Sequence, residues 1–198
     1  SVRPAARLGA GASAPAFTFV RRLAGLDQPV GLIVLGIDVH VPDETAGELE
    51  LRLSELGALA LVEAITLMEL GQQSERPQDG GAATFAPKIG REMARVNWQE
   101  GCGVVARLIR AYDPRPGAFT THRGADLKIF GAAETEEGGD EGKTLFGTVI
   151  TVDERGMMVA CGDGAVRIAQ VTPAGKKRLD AAEWHRGRGV AIGDRLGV

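Results

Sequence analysis

Several things are scarce in this sequence, and each scarcity excludes a class of protein. There are two cysteines, Cys102 and Cys161, in 198 residues, without the close spacing of a redox pair or the four-ligand spacing of a zinc site. Reduced, buried thiols in a reducing cytoplasm are the expectation. Aromatic residues make up 5% of the chain, so few rings are free to serve as base-stacking platforms, and Trp98, Tyr112, Phe119 and Trp184 are expected in core or interdomain packing. No apolar run reaches the roughly 18 residues of a membrane span. The opening Ser1 to Ala16 is too broken by glycine and arginine to be the apolar core of a signal peptide, and it reads as a loop or frayed end. There is no HExxH and no Cys-His-Asp cluster, so no metal is expected. The early glycines Gly9 and Gly11 lack the spacing and preceding strand of a dinucleotide cradle.

What is present is a division of charge that the net value of -3 conceals. Gly25 to Thr84 holds two basic and eleven acidic residues, whereas Phe85 to Gly131 holds eight basic against four acidic and Lys143 to Val198 nine against six. Five carboxylates in Glu134 to Glu141 separate the basic stretches. Phosphate is met by a local surface, so the second half can carry a basic face.

The apolar run Leu32 to Val41 suits a sheet strand that Pro42 closes. Thr45, with Glu48 three residues on, predicts a capped helix over Thr45 to Leu70 whose buried stripe is Leu49, Leu53, Leu56 and Ala60. Gly71 to Ala83 reads as a linker. A second helix is expected from Asn97, with Glu100 in the capping-box position, Cys102, Val105, Leu108 and Ile109 inward, and Arg107 and Arg110 on the outer face. Asp113-Pro114-Arg115-Pro116-Gly117 must end it. Short strands follow at Leu127 to Phe130, Phe146 to Val152, Met157 to Ala160 and Ala165 to Ile168, with turns at Asp153 to Gly156 and Cys161 to Gly164, and a last turn lies around Gly189 to Leu196. The pattern suggests an antiparallel barrel of five or six strands. The expected fold class is an α/β remnant followed by a mainly β, OB-like barrel domain with preceding helices.

Three blocks, in order, resemble methionyl-tRNA formyltransferases: Thr84-Phe85-Ala86-Pro87-Lys88-Ile89, Arg110-Ala111-Tyr112-Asp113-Pro114-Arg115-Pro116-Gly117-Ala118-Phe119, and Pro173-Ala174-Gly175-Lys176-Lys177-Arg178. Leu127-Lys128-Ile129-Phe130, Ala160-Cys161-Gly162-Asp163-Gly164 and Gly193-Asp194-Arg195-Leu196-Gly197 extend the resemblance over Ala83 to Val198. Pro42 to Leu49 looks like the start of the last catalytic-domain helix, and Gly25-Leu26-Asp27 like the segment holding the catalytic aspartate, although Gln28-Pro29 stands where the family has a small residue and glycine. The resemblance implies a shortened catalytic-domain remnant with linker over residues 1–80 and an OB-like tRNA-binding domain over residues 81–198.

In that family a formyl group passes from 10-formyltetrahydrofolate to the amino group of methionine on initiator tRNA. Attack of an amine on a formyl carbonyl builds negative charge on oxygen and positive charge on nitrogen, so a donor is needed for the first and a carboxylate for the second. The resemblance assigns Asp27 as the retained catalytic residue; the family's asparagine and histidine would fall before Ser1, so catalysis by the chain alone is in doubt. His40, His122, the last placed in a polar turn, and His185 are expected in surface or hydrogen-bonding roles. No cofactor is assigned to this chain, and a folate donor belongs to an intact family member. The implied nucleic-acid contacts are Lys176, Lys177 and Arg178, widened by Lys88, Arg115 and Lys128, with Arg91, Arg95, Arg186 and Arg188 as further candidates. The implied partner is initiator methionyl-tRNA, the implied state a cytoplasmic monomer away from membranes. The alternatives are another folate-dependent formyltransferase relative or a non-catalytic structural or interaction fragment.

Overall fold

The computed structural model describes residues 2–4, 16–19, 33–36, 43–72, 81, 85–135 and 144–198. The chain divides into two compact units, one of residues 1–42 and 50–88, the other of residues 43–49 and 89–198. In the first, strands β1 (Val2–Pro4), β2 (Ala16–Phe19) and β3 (Ile33–Gly36) form an antiparallel sheet in that order. The apolar run of the sequence supplies β3; its continuation to Val41, together with His40, lies outside the described residues.

Helix α1 (Ala46–Glu69) begins where the sequence signals it. The Glu48 amide donates to Thr45 Oγ1 at 3.2 Å and the Thr45 amide to Glu48 Oε2 at 2.8 Å, a reciprocal cap that satisfies two otherwise orphaned donors. The Thr45 amide, and after it the Thr45 hydroxyl, which donates to Glu48 Oε2 at 2.7 Å, hold the Glu48 carboxyl below its ordinary pKa. Leu53 and Ala60 are buried and Leu49 and Leu56 half-buried, which is the expected stripe. Gly57 sits inside the helix without ending it.

The second unit is built on strands β4 (Ala118–His122), β5 (Ala125–Thr135), β6 (Val149–Asp153), β7 (Gly156–Cys161), β8 (Gly164–Pro173) and β9 (Leu179–Asp180). The ladder runs β4-β5-β8-β7-β6, every pair antiparallel, with β9 on β8. Helix α2 (Cys102–Ala111) precedes the sheet, and α3 (Ala181–Arg186) follows it. The turns at Glu154-Arg155 and Gly162-Asp163 fall where the sequence places them.

The closed barrel is not what the ladder shows: β4 and β6 are its two ends and do not pair with each other. The C-terminal segment lies between them. The Leu196 amide donates to the Gly147 carbonyl at 2.8 Å and the Gly197 amide to the Thr121 carbonyl at 2.8 Å, so residues 196 and 197 satisfy both margins.

The core holds Ile109 of α2, Leu127 and Ile129 of β5, Met157 of β7, Ile168 of β8, and Leu196. Along β5 the inward residues are Leu127 and Ile129 but then Ala132, a change of parity. Gly131, where the change falls, has φ of 63°, a conformation that residues with side chains rarely adopt, and the β5–β8 register runs unbroken across it.

The start of α2 corrects the sequence expectation. Asn97 does not cap it: Asn97 Oδ1 accepts the Gln99 amide at 3.2 Å in a local turn, and the helix begins at Cys102. Trp98 beside that turn is buried, its Nε1 donating to Thr120 Oγ1 at 3.0 Å, which ties this stretch to the sheet. The helix cap comes from far along the chain, as Asp163 Oδ1 accepts the Cys102 amide at 2.6 Å. Arg110 is a second correction. It is not on the outer face but largely buried, donating to the Ala132 carbonyl at 3.1 Å and pairing with Asp43 at 2.9 Å. The thiols also differ from expectation: Cys161 is buried and its pKa is pushed up to about 12 by burial, but Cys102 is only half-buried. Among the described residues no helix is long and apolar enough to cross a membrane.

Candidate functional site

Lys128 and the guanidinium groups of Arg91, Arg95 and Arg178 meet on the outer face of β4, β5 and β8, opposite the core. Register decides this. Leu127 and Ile129 point inward, so Lys128 and Phe130 point outward, and Lys128 lies beside Phe119 of β4 and Thr172 of β8. Phe119 and Phe130 are nonetheless only 3% and 4% exposed, because guanidinium groups cover them. Arg91 and Arg95, from the 3-10 turn Arg91–Ala94 and its end, lie 4.9 and 4.7 Å from the Phe119 ring centre. Arg178 lies 4.0 Å from that of Phe130. Such stacking is favourable for a planar cation and leaves its rim available. Carboxylates temper all three groups, Arg91 pairing with Asp126, Arg95 with Glu92 at 2.9 Å and Arg178 with Asp113 at 3.1 Å.

The helix-ending segment Asp113 to Gly117 forms the middle of the face. Gly117 has φ of 86°, and a Cβ there would lie 3.0 Å from the Phe130 ring and 3.1 Å from Lys128 Cδ, so glycine lets both side chains lie against the turn. Lys128 Nζ donates to the Pro116 carbonyl at 2.7 Å. Arg115 beside it is exposed.

Asp113 is 4% exposed, and its charge is fully engaged. Oδ2 accepts the Gly131 amide at 3.0 Å, and Oδ1 accepts Arg178 Nη1 at 3.1 Å. Arg178 Nε donates to Gln170 Oε1 at 2.7 Å, and Gln170 Nε2 to Asp180 Oδ1 at 3.0 Å. Lys176 and Lys177 precede Arg178 on the turn between β8 and β9, where the Lys176 amide donates to the Pro173 carbonyl at 3.0 Å. Both lysines are exposed.

Lys128, Arg115 and Arg178 are thus brought around one turn, with Lys176 and Lys177 next to Arg178. Arg186 and Arg188 are exposed at the end of α3. Lys88 is exposed and belongs to the first compact unit. Asp27 lies outside the described residues.

The two described histidines have other partners. His122 is not in a turn but ends β4, 8% exposed, with Nε2 3.0 Å from Asp194 Oδ2 and its ring edge-on to Trp184. His185 Nδ1 is 2.8 Å from the Val190 carbonyl oxygen. What the sequence did not disclose was the set of neutral and acidic partners, Asp113, Gln170 and the two phenylalanines. Asp113 and Arg178 are 65 positions apart, and no local spacing links them.

The family model described as formyl transferase, C-terminal domain, matches residues 88–189. A methionyl-tRNA formyltransferase of Magnetococcus marinus is 39% identical over 165 residues, covering 83% of this chain and 50% of that protein. That of Aromatoleum aromaticum is 38% identical over 187 residues, covering 94% and 57%. The chain therefore spans about half the length of the curated relatives it matches. Among solved structures, a multiply substituted variant of HypX from Aquifex aeolicus superposes with a TM-score of 0.66 at 20% identity, covering 91% of this chain and 32% of that one. HypX solved with tetrahydrofolic acid gives 0.65 at 20%, covering 90% and 31%. The match over residues 88–189, together with these relatives, establishes that the chain belongs to the formyl transferase C-terminal domain family.

Proposed function

We propose that this chain is the RNA-handling part of a methionyl-tRNA formyltransferase-like protein, and that its second half grips the backbone of initiator methionyl-tRNA near the acceptor end. The observation that carries the reading is the outer face of β4, β5 and β8, where Lys128, Arg115 and Arg178 are gathered beside the exposed Lys176 and Lys177. With Phe119 and Phe130 covered by arginine, the face offers charge and hydrogen bonds rather than open rings, so it suits phosphate rather than bases. The resemblance adds Lys88, which is exposed in the first compact unit, to the expected contacts.

The division into a catalytic-domain remnant over residues 1–80 and an OB-like RNA-binding domain over residues 81–198 is part of the same reading. The C-terminal segment that bonds both margins of the open sheet supports the OB-like description. A role in translation initiation fits the relatives' names, and a cytoplasmic monomer is part of the same proposal. The formyl donor would be a folate, as HypX was solved with tetrahydrofolic acid. Of the groups the chemistry needs, the resemblance assigns Asp27 alone, so formyl transfer by this chain by itself is expected to be slight.

Two measurements test the reading. Reversal of Lys176 and Lys177 to glutamate in the folded chain should weaken binding of initiator methionyl-tRNA and flatten the dependence of log affinity on log salt by about 1.5 for two lost phosphate contacts. Equal affinity and equal slope would reduce the cluster to a solvated turn. A transfer assay with 10-formyltetrahydrofolate and charged initiator tRNA should give little product, and turnover like that of an intact transferase would refute the second half of the reading.

A further inference from the structure

Lys176, Lys177 and Arg178 are adjacent in sequence, but their surroundings differ. Both lysines are exposed, on a turn closed by the Lys176 amide on the Pro173 carbonyl. The Arg178 guanidinium is committed on three sides: Asp113 Oδ1 at 3.1 Å, Gln170 Oε1 at 2.7 Å, and the Phe130 ring at 4.0 Å. Its side chain is 38% exposed, against 6% for that of Asp113. A guanidinium held by a buried carboxylate, an amide and a ring has a fixed position, and its charge is largely matched by Asp113. An arginine that served chiefly to meet phosphate would keep its fork free.

We propose that Arg178 is a positioning residue: it anchors the β8–β9 turn to Asp113 and Phe130 so that Lys176 and Lys177 are presented at a fixed place beside Lys128, and those lysines meet the phosphates. The inference rests on the tRNA-binding reading above and assigns roles within that face. The anchor is well built for the task. Asp113 is itself held by the Gly131 amide on β5, Gln170 lies on β8, and Gln170 is held by Asp180 of β9, so the guanidinium joins the strands on either side of the turn to the end of α2. Positioning lowers the ordering cost of two long, flexible lysine stems by fixing the backbone that carries them.

Two variants of the full chain, bound to initiator methionyl-tRNA over a salt series, separate this role from the alternatives, with thermal melting as a check on folding. Arg178→Gln should weaken binding about tenfold and lower the salt slope by more than the single contact of about 0.8 that one lost phosphate accounts for. Adding Lys176→Gln and Lys177→Gln to it should then cost little more, because lysines that are no longer held contribute little. Asp113→Asn gives a difference of sign. It should also weaken binding, since the anchor is lost, whereas an Arg178 that itself met phosphate would bind more tightly once released from its carboxylate. Arg178→Lys, which keeps the charge but not the fork, should not rescue.

Multiplicative losses across the lysine and arginine variants, tighter binding by Asp113→Asn, or rescue by Arg178→Lys would each overturn the inference while leaving the binding face intact. A fall in melting temperature with unchanged affinity would make Arg178 merely structural and overturn it equally. If the unmodified chain binds no tRNA, the functional reading fails and the inference fails with it.

Discussion

Helix α1 and the sheet of the second unit are stabilised in opposite ways. Over 24 residues α1 buries Leu53 and Ala60, while Leu51, Leu59, Leu61, Val62, Ile65 and Met68 are each at least 48% exposed. The sheet sequesters its large apolar residues instead: Ile109, Leu127, Ile129, Met157, Ile168 and Leu196 are no more than 1% exposed. Past its first turn, where the Gly47 amide donates to the Asp113 carbonyl at 3.0 Å, the helix relies on its reciprocal Thr45–Glu48 cap and on i to i+4 backbone bonds. The sheet relies on contacts between distant positions. A local device survives on local sequence, and a long-range one requires the whole unit.

The largest effect expected from this contrast is in the core. Ile109→Ala removes a side chain that is fully buried between α2 and the sheet and should cost about 2 to 5 kcal/mol. Both tryptophans of the chain, Trp98 and Trp184, are buried in the second unit, so the denaturant midpoint of tryptophan fluorescence reads this loss directly. An unchanged midpoint would mean that the unit does not unfold as one core.

Next in size is the acid sensitivity of the C-terminal segment. Burial alone would raise the Asp194 pKa, but the Ala191 amide, His122 and Arg123 outweigh it and hold the carboxyl below its ordinary value of 3.8. A carboxyl with a depressed folded pKa stabilises above its unfolded pKa, and that stabilisation is lost as pH falls through the folded value. The unmodified chain should therefore lose stability below about pH 4, and Asp194→Asn, already lacking about 1 to 3 kcal/mol at neutral pH, should lose less over the same range. Parallel pH profiles for the two proteins would show that Asp194 is not the group responsible.

The same contrast explains what was legible in the sequence. Thr45 and Glu48 announce α1 because the cap is three residues long, and the glycine-bearing turns at residues 153–156 and 161–164 announce the hairpins for the same reason. The start of α2 was misplaced at Asn97 because its real cap, Asp163, is 61 positions away, and a plausible local signal filled the gap. The basic residues of the site could be named, but not their shared face. That depends on the register that pairs Lys128 with Phe119 and on the parity change at Gly131, neither of which is written in a short segment. The blocks Arg110 to Phe119 and Pro173 to Arg178 surround these long-range junctions: Asp113, Gly117 and Arg178 all fall within them.

Asp163 provides a smaller, sharper comparison of the two kinds of cap. Asp163→Ala removes the acceptor for the Cys102 amide and Thr45→Ala removes that for the Glu48 amide, and each should cost about 1 kcal/mol. The readouts should part: the first lowers the midpoint of tryptophan fluorescence, while the second chiefly lowers the helical circular dichroism that α1 dominates. The Cys102 thiol, whose pKa is raised first by its hydrogen bond to Asp163, should also ionise more readily in Asp163→Ala, giving faster alkylation near pH 8. If both substitutions shift both signals together, the two caps belong to one cooperative unit and the contrast between local and long-range stabilisation fails.

The smallest effect belongs to the exposed side of α1. Leu59 is 70% exposed, so Leu59→Ala removes little packing and replaces leucine with the strongest helix former; the net change should stay within about 0.5 kcal/mol in either direction. Its value lies beside Ile109→Ala, since the same loss of an aliphatic side chain in the two regions should differ several-fold. Guanidine titrations followed by helical circular dichroism at fixed protein concentration would measure it. A cost approaching that of Ile109→Ala would mean that Leu59 is covered in solution, and α1 would then be a packed helix of the same kind as α2 rather than one sustained by its cap and backbone.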